Sequence, residues 1–235
     1  MPRNSLSPKA VHKGRTHVGP PQAGQLISVP RRAGNGDGKG LRERKKARMR
    51  QQIIDASIRL FRERGYENTR IDDIVGTLEI SQPTFFRYFP TKDAVLRDVG
   101  LIGFASAKER LEEELSRDIS TAERLHEKYQ IHAQKLEKDQ ALWRAVVLSG
   151  VMDPVRSPEV RQADEIASNL LEELLRDGQK RGDVTRAFPV SHLAEFLQGL
   201  SITVIRRWAV DFPRPHSLSE RLHSAVEFFL RAAQP

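Results

Sequence analysis

The sequence contains no cysteine, which excludes disulfides, thiolate metal sites and cysteine nucleophiles. It has no apolar run near the ~20 residues that cross a bilayer, so no membrane partner is expected. The N-terminus is basic but lacks an apolar h-region, so it does not read as a secretory signal, and a cytoplasmic location is the expectation. No segment shows convincing strand alternation. No Ser/His/Asp arrangement has a supporting turn motif, so no catalytic residues are assigned and the chain is not expected to be an enzyme. His126 and His132 make no convincing metal pair, and neither metal nor cofactor is expected. The glycine-rich "AGNGDGKG" fails as a phosphate loop, because no Ser or Thr follows Lys39. It also fails as a calcium loop, because Lys46 stands where the closing Glu belongs.

Charge is abundant and uneven. Residues 1–100 hold 20 Lys/Arg against 10 Asp/Glu, whereas residues 101–235 hold 19 against 21. A basic half joined to a nearly neutral half suits a chain that meets a polyanion at one end. A solubilising tail on an ordinary domain is the other reading of the same numbers.

Periodicity predicts an all-α chain of about nine helices. Residues 1–40, rich in Pro, Gly, Ser and basic side chains, read as a disordered basic arm. From Leu41 a helix is predicted with Ile54, Ile58 and Phe61 on one face and Gly65 as its stop. It begins with the strongly basic "LRERKKARMR". A short second helix carries Ile71, Ile74, Val75 and Leu78. After Leu78-Glu79-Ile80, Ser81 is a good N-cap and Pro83 falls in the first turn, so a third short helix is predicted over about 82–89. Pro90 stops it and Thr91 caps a long fourth helix.

Two short helices joined by a tight turn form a helix-turn-helix pattern braced by the first helix. The aromatics of "SQPTFFRYF" then divide. Phe85 and Phe89, four apart, are expected to face inward. Phe86 and Tyr88 fall on other faces, where they either touch a partner or pack on the fourth helix.

Residues 42–96 resemble the N-terminal DNA-binding domain of TetR-type transcriptional regulators, through "IIDASIRLFRERGYENTRIDDIV" and "ISQPTFFRYFPTKDAVL". The resemblance implies a helix-turn-helix domain over 41–90 and a helical effector-binding and dimerisation domain over 91–235. It also implies a homodimer that sets its third helices on an inverted-repeat operator in double-stranded DNA, most often a repressor released by a small-molecule effector. Carried over by position, Gln82 and Pro83 read bases. Chemistry agrees, since Gln bonds adenine bidentately and Pro touches a thymine methyl. Ser81, Thr84, Phe86 and Tyr88 join that face, and Lys92 and Arg70 would meet phosphates. Arg44, Lys45 and Arg48 are expected along the DNA backbone or in an adjacent minor groove. Arg87 reads equally as surface charge or contact. Relatives commonly have Gly where Glu79 stands, so a left-handed backbone there would strain this chain.

The C-terminal half offers less. Phe104, Tyr129, His132, Trp143, Met152 and Phe196 are pocket candidates, each also consistent with ordinary core. Phe196, Leu200, Val204, Trp208, Leu222, Val226 and Phe229, on the last two helices, are expected at the dimer interface. Two other functions stay open: a DNA-binding regulator without a small-molecule effector, and an all-helical enzyme or carrier.

Overall fold

The structure, a computed structural model, describes residues 37–115, 117–211 and 216–235. Among them lie nine helices and no strand. They are α1 (Asp37–Arg64), α2 (Ile71–Leu78), α3 (Gln82–Tyr88), α4 (Lys92–Leu115), α5 (Thr121–Lys138), α6 (Gln140–Ser149), α7 (Pro158–Arg181), α8 (Val190–Val210) and α9 (Leu218–Ala232). The arm expected over 1–40 is helical from Asp37 onward, and the rest of it lies outside the described residues. So does most of the Pro-rich connection between α8 and α9.

Local chemistry explains the breaks. Gly65 ends α1 at φ 82°, a left-handed conformation that costs glycine nothing. Thr69, buried in the following loop, donates its hydroxyl hydrogen to the Gly65 carbonyl at 2.8 Å. Ser120 and Ser217 cap α5 and α9 through reciprocal Ser–Glu bonds with Glu123 and Glu220. Thr91 accepts from the Ala94 N–H at 3.1 Å at the start of α4.

The apolar side chains form two cores. The first joins α1, α2 and α3 through Ile53, Phe61, Ile74, Phe85 and Phe89, and it continues into Val95 and Leu96 of α4 and Leu142 and Val146 of α6. The base of the helix-turn-helix is therefore shared with the helices that follow it. The second core unites α5, α7, α8 and α9 through Leu125, Leu171, Leu197 and Leu222.

The turn between α2 and α3 behaves as the sequence suggested. Glu79 adopts φ 52° and ψ 39°, and is the one positive-φ residue other than glycine among the described residues. The conformation lets the Ile80 N–H reach the Val75 carbonyl at 3.0 Å and close α2. A side chain in this region costs about 1 kcal/mol relative to glycine. Glu79→Gly is expected to raise the melting temperature by roughly 2–4 °C. An unchanged or lower value by circular dichroism contradicts the strain.

Candidate nucleic-acid interface

Helix α3 has only seven residues and depends on its neighbours. Ser81 accepts from the Thr84 N–H at 3.3 Å, and the two hydroxyl oxygens lie 3.0 Å apart, so Ser81 serves as the cap. Phe85 and Phe89 are 0% and 1% exposed and anchor α3 in the N-terminal core. Their rings lie 6.1 Å apart, and Phe86 meets Phe85 edge-on at 5.7 Å. The opposite face presents Gln82, Pro83 and Phe86 to solvent, with Phe86 46% exposed. Thr84 is half-buried.

Two of the expected contact residues also serve the subunit's own packing. Tyr88 is half-buried and packs against the N-terminal core, with the Arg87 guanidinium 5.4 Å from its ring. Lys92 is half-buried and bonded within the subunit. Its Nζ donates to the carbonyls of Tyr66 at 2.6 Å and Thr69 at 2.9 Å, and sits 4.1 Å from the centre of the Tyr66 ring. The adjacent Asp93 accepts the Tyr66 hydroxyl hydrogen. Burial, reinforced by that bond and by the Asp93 charge, pushes the phenol well above its usual range. Lys92 and Asp93 thus staple the α1–α2 loop to the start of α4. The sequence pattern carries no information about the carbonyls folded back beneath Lys92.

Arg70 is exposed immediately before α2, and its backbone N–H donates to Asp73 at 2.8 Å. Gln82 Nε2 donates to Asp72 of α2, a pairing ten residues apart. Asp72 was not among the residues singled out from sequence, and only the turn geometry that stacks α2 against α3 reveals it. The bond holds the Gln82 amide in one orientation before any ligand arrives.

The basic N-terminal part of α1 stands clear of the body. Residues 40–48 are all exposed, including Arg44, Lys45 and Arg48, and packing begins at Met49. This segment is a charged helical rod. At roughly 10–12 Å across with its side chains, such a rod does not fit a minor groove about 6 Å wide. Of the two placements expected from sequence, the track along the phosphates is the one its shape suits.

Arg50 joins this end of the molecule to the rest. Its guanidinium lies 4.4 Å from the centre of the Phe89 ring and forms an ion pair with Asp98 of α4. Burial raises the Asp98 carboxyl above the usual range, with the Arg50 charge opposing. Arg62 and Asp139 make a second link, at 2.6 Å, from α1 to the start of α6.

The pocket candidates scatter. Trp143 and Met152 pack against α4 where it has no side chains: a Cβ on Gly103 would meet the Trp143 ring at 2.6 Å, and one on Gly100 would meet Met152 Sδ at 2.2 Å. Phe104, half-buried, follows directly on α4. Tyr129 is buried in the C-terminal core, and His132 is half-buried on α5. Phe196 is 54% exposed and lines no interior. An open groove of about 380 Å³ is lined by Arg50, Arg97, Asp98, Leu101, Ile102 and Glu159.

The interface candidates also separate. Trp208, Leu222, Val226 and Phe229 are buried in the subunit's own core, and Leu200 and Val204 pack against its edge. Helical periodicity marks a buried face without saying whether the same chain buries it. The large apolar side chains left outside on these helices are Phe196, Ile202 and Val210 of α8 and Phe228 of α9, the last 66% exposed.

Comparison with known proteins agrees with this arrangement. Residues 53–99 match the family described as bacterial regulatory proteins, tetR family. The regulator TcmR of Streptomyces glaucescens is 42% identical over 59 residues, covering 25% of this chain and only 26% of that protein. The fatty acid metabolism regulator protein of Bacillus subtilis is 23% identical over 164 residues, covering 68% of this chain and 83% of that protein. Among solved structures, Thermus thermophilus FadR, a TetR-family transcriptional repressor in complex with lauroyl-CoA, aligns with a TM-score of 0.63 and 26% identity. That alignment covers 77% of this chain and 93% of the other. Residues 53–99, which hold the capped helix α3 on its shared core, thus match the tetR family of bacterial regulatory proteins, and the chain as a whole shares its fold with TetR-family structures.

Proposed function

We propose that the chain is a sequence-specific DNA-binding repressor, acting as a homodimer on an inverted-repeat operator and released by a small molecule. One observation carries this reading: α3 buries Phe85 and Phe89 and turns Gln82, Pro83 and Phe86 outward, beside the exposed basic rod of α1. Residues 41–90 are assigned to DNA and 91–235 to the effector and the second subunit. Ser81 caps the reading helix, Thr84 and Arg70 lie at its margin, and Asp72 orients Gln82. The role of Lys92 is indirect, through the loop it staples.

The dimer contact falls on the apolar residues the subunit leaves exposed. Phe196 and Ile202 flank Gly199, whose exposed position on α8 has open space where a Cβ would be, and a glycine there lets a partner helix approach closely. Phe228 adds a further exposed ring on α9. Exposed apolar surface of this kind marks association.

For the effector, the seam where Met152 and Trp143 fill the space above Gly100 and Gly103 is the place an apolar ligand opens by displacing two side chains. The complex of Thermus thermophilus FadR with lauroyl-CoA supports an acyl thioester as the first compound to test. The dense filling of that seam also favours a second reading, a regulator with no small-molecule effector. The two separate on whether lauroyl-CoA, titrated into the chain bound to its DNA, releases it.

Gln82→Ala tests base reading. It is expected to cost about 1–3 kcal/mol of discrimination at one base pair of each half-site. Binding to unrelated DNA should stay unchanged, because phosphate contacts carry no sequence information. Equal losses on operator and unrelated DNA, in competition gel shifts, overturn the assignment.

A further inference from the structure

We infer that His126, His223 and Glu227 form a binding site for one divalent transition cation of the zinc class, bridging α5 and α9. The ligand atoms of the three residues all lie within 4.8 Å of one another. His126 comes from α5, while His223 and Glu227 sit four apart on α9 and so share one helical face. The antiparallel seam between these helices is fixed at its far end by Ser219, which donates from its hydroxyl to Glu137 at 2.6 Å. The three candidate ligands are thus carried on two helices already held in register.

Two features favour a cation over a simple hydrogen-bonded cluster. His126 Nε2 and Glu227 Oε1 are 2.7 Å apart, so one imidazole nitrogen and one carboxylate oxygen already converge. The His223 ring lies 4.6 Å from that of His126, tilted by 32°, a separation at which two protonated rings would repel. A cation in place of the shared proton lets both imidazoles act as neutral donors. Two imidazoles and one carboxylate suit zinc, with water in the open position. Calcium and magnesium instead require six or more oxygen ligands. Bonds of about 2.0–2.2 Å need the His126–Glu227 contact to widen by only a fraction of an ångström. Arg231 draws Glu227 Oε2 from 3.9 Å and leaves Oε1 on the histidine side. From sequence, His126 was weighed only against its neighbour on α5, His132. Its true companions are about a hundred residues away and meet it only through the fold.

The site is independent of the DNA-binding reading. The full untagged chain, stripped with chelator, is titrated with Zn²⁺ alone by calorimetry and with Co²⁺ alone by visible absorbance. One ion per chain is expected, with a Co²⁺ spectrum of a four- or five-coordinate site. His223→Ala and Glu227→Gln should each weaken binding at least about tenfold. His192→Ala, an exposed histidine on α8, should leave it unchanged. His223 is itself exposed, so its truncation does not disturb the core, and circular dichroism of the apo variants checks this. Absence of saturable binding overturns the proposal. So does binding equally strong in wild type, His223→Ala and Glu227→Gln, which would mark adventitious binding at other histidines.

Discussion

Phe85→Ala is expected to destabilise the N-terminal core by about 3–5 kcal/mol and to abolish operator binding. Phe85 is completely buried and its ring pairs with those of Phe86 and Phe89. Phe89, just past the end of the helix, does not replace it, because a seven-residue helix has little stability of its own. The neighbouring Phe86→Ala removes a ring of the same size from the exposed face and should change stability by no more than about 0.5 kcal/mol. It should still weaken DNA binding. Denaturant unfolding followed by circular dichroism, paired with gel shifts, distinguishes the two: Phe85→Ala loses fold and binding together, and Phe86→Ala loses binding alone. Equal destabilisation by the two substitutions contradicts the division of the aromatic cluster.

The second large effect concerns salt. Simultaneous replacement of Arg44, Lys45 and Arg48 by alanine should weaken binding to all DNA sequences nearly alike. Each lost phosphate contact flattens the slope of log K against log salt by roughly 0.9, so up to about 3 per subunit. The three residues lie on the exposed helical rod before Met49, outside the apolar core. Melting temperature should therefore stay within about 2 °C of wild type. A salt titration with an unchanged slope removes the rod from the DNA.

Much of this was legible in the sequence wherever the signal was local. The stop at Gly65, the cap at Ser81 and the inward Phe85 and Phe89 all follow from chemistry within a few residues, and the structure has each of them. What the sequence does not show is where a side chain goes once distant segments meet. Lys92 bonds to carbonyls more than twenty residues earlier. Tyr88 leans on the core instead of standing clear. Trp208, Leu222, Val226 and Phe229 satisfy the apolar periodicity of an interface but are consumed inside one subunit. Asp72 gains its role only when α2 and α3 stack. The packing of the long fourth helix is hidden for a related reason: Gly100 and Gly103 have no side chain for a periodicity to register, yet they are the places where Met152 and Trp143 enter.

The most direct test is selection of the full chain against a random double-stranded DNA library, followed by affinity measurements on the enriched sequence from 50 to 200 mM salt. The account predicts an inverted repeat whose two halves lie about one helical turn apart, or a multiple of it, on one face of the duplex. Affinity should fall steeply with salt, and Gln82→Ala should relax the preference at one position in each half. A library that emerges with no enriched sequence, or binding that is insensitive to salt, contradicts it.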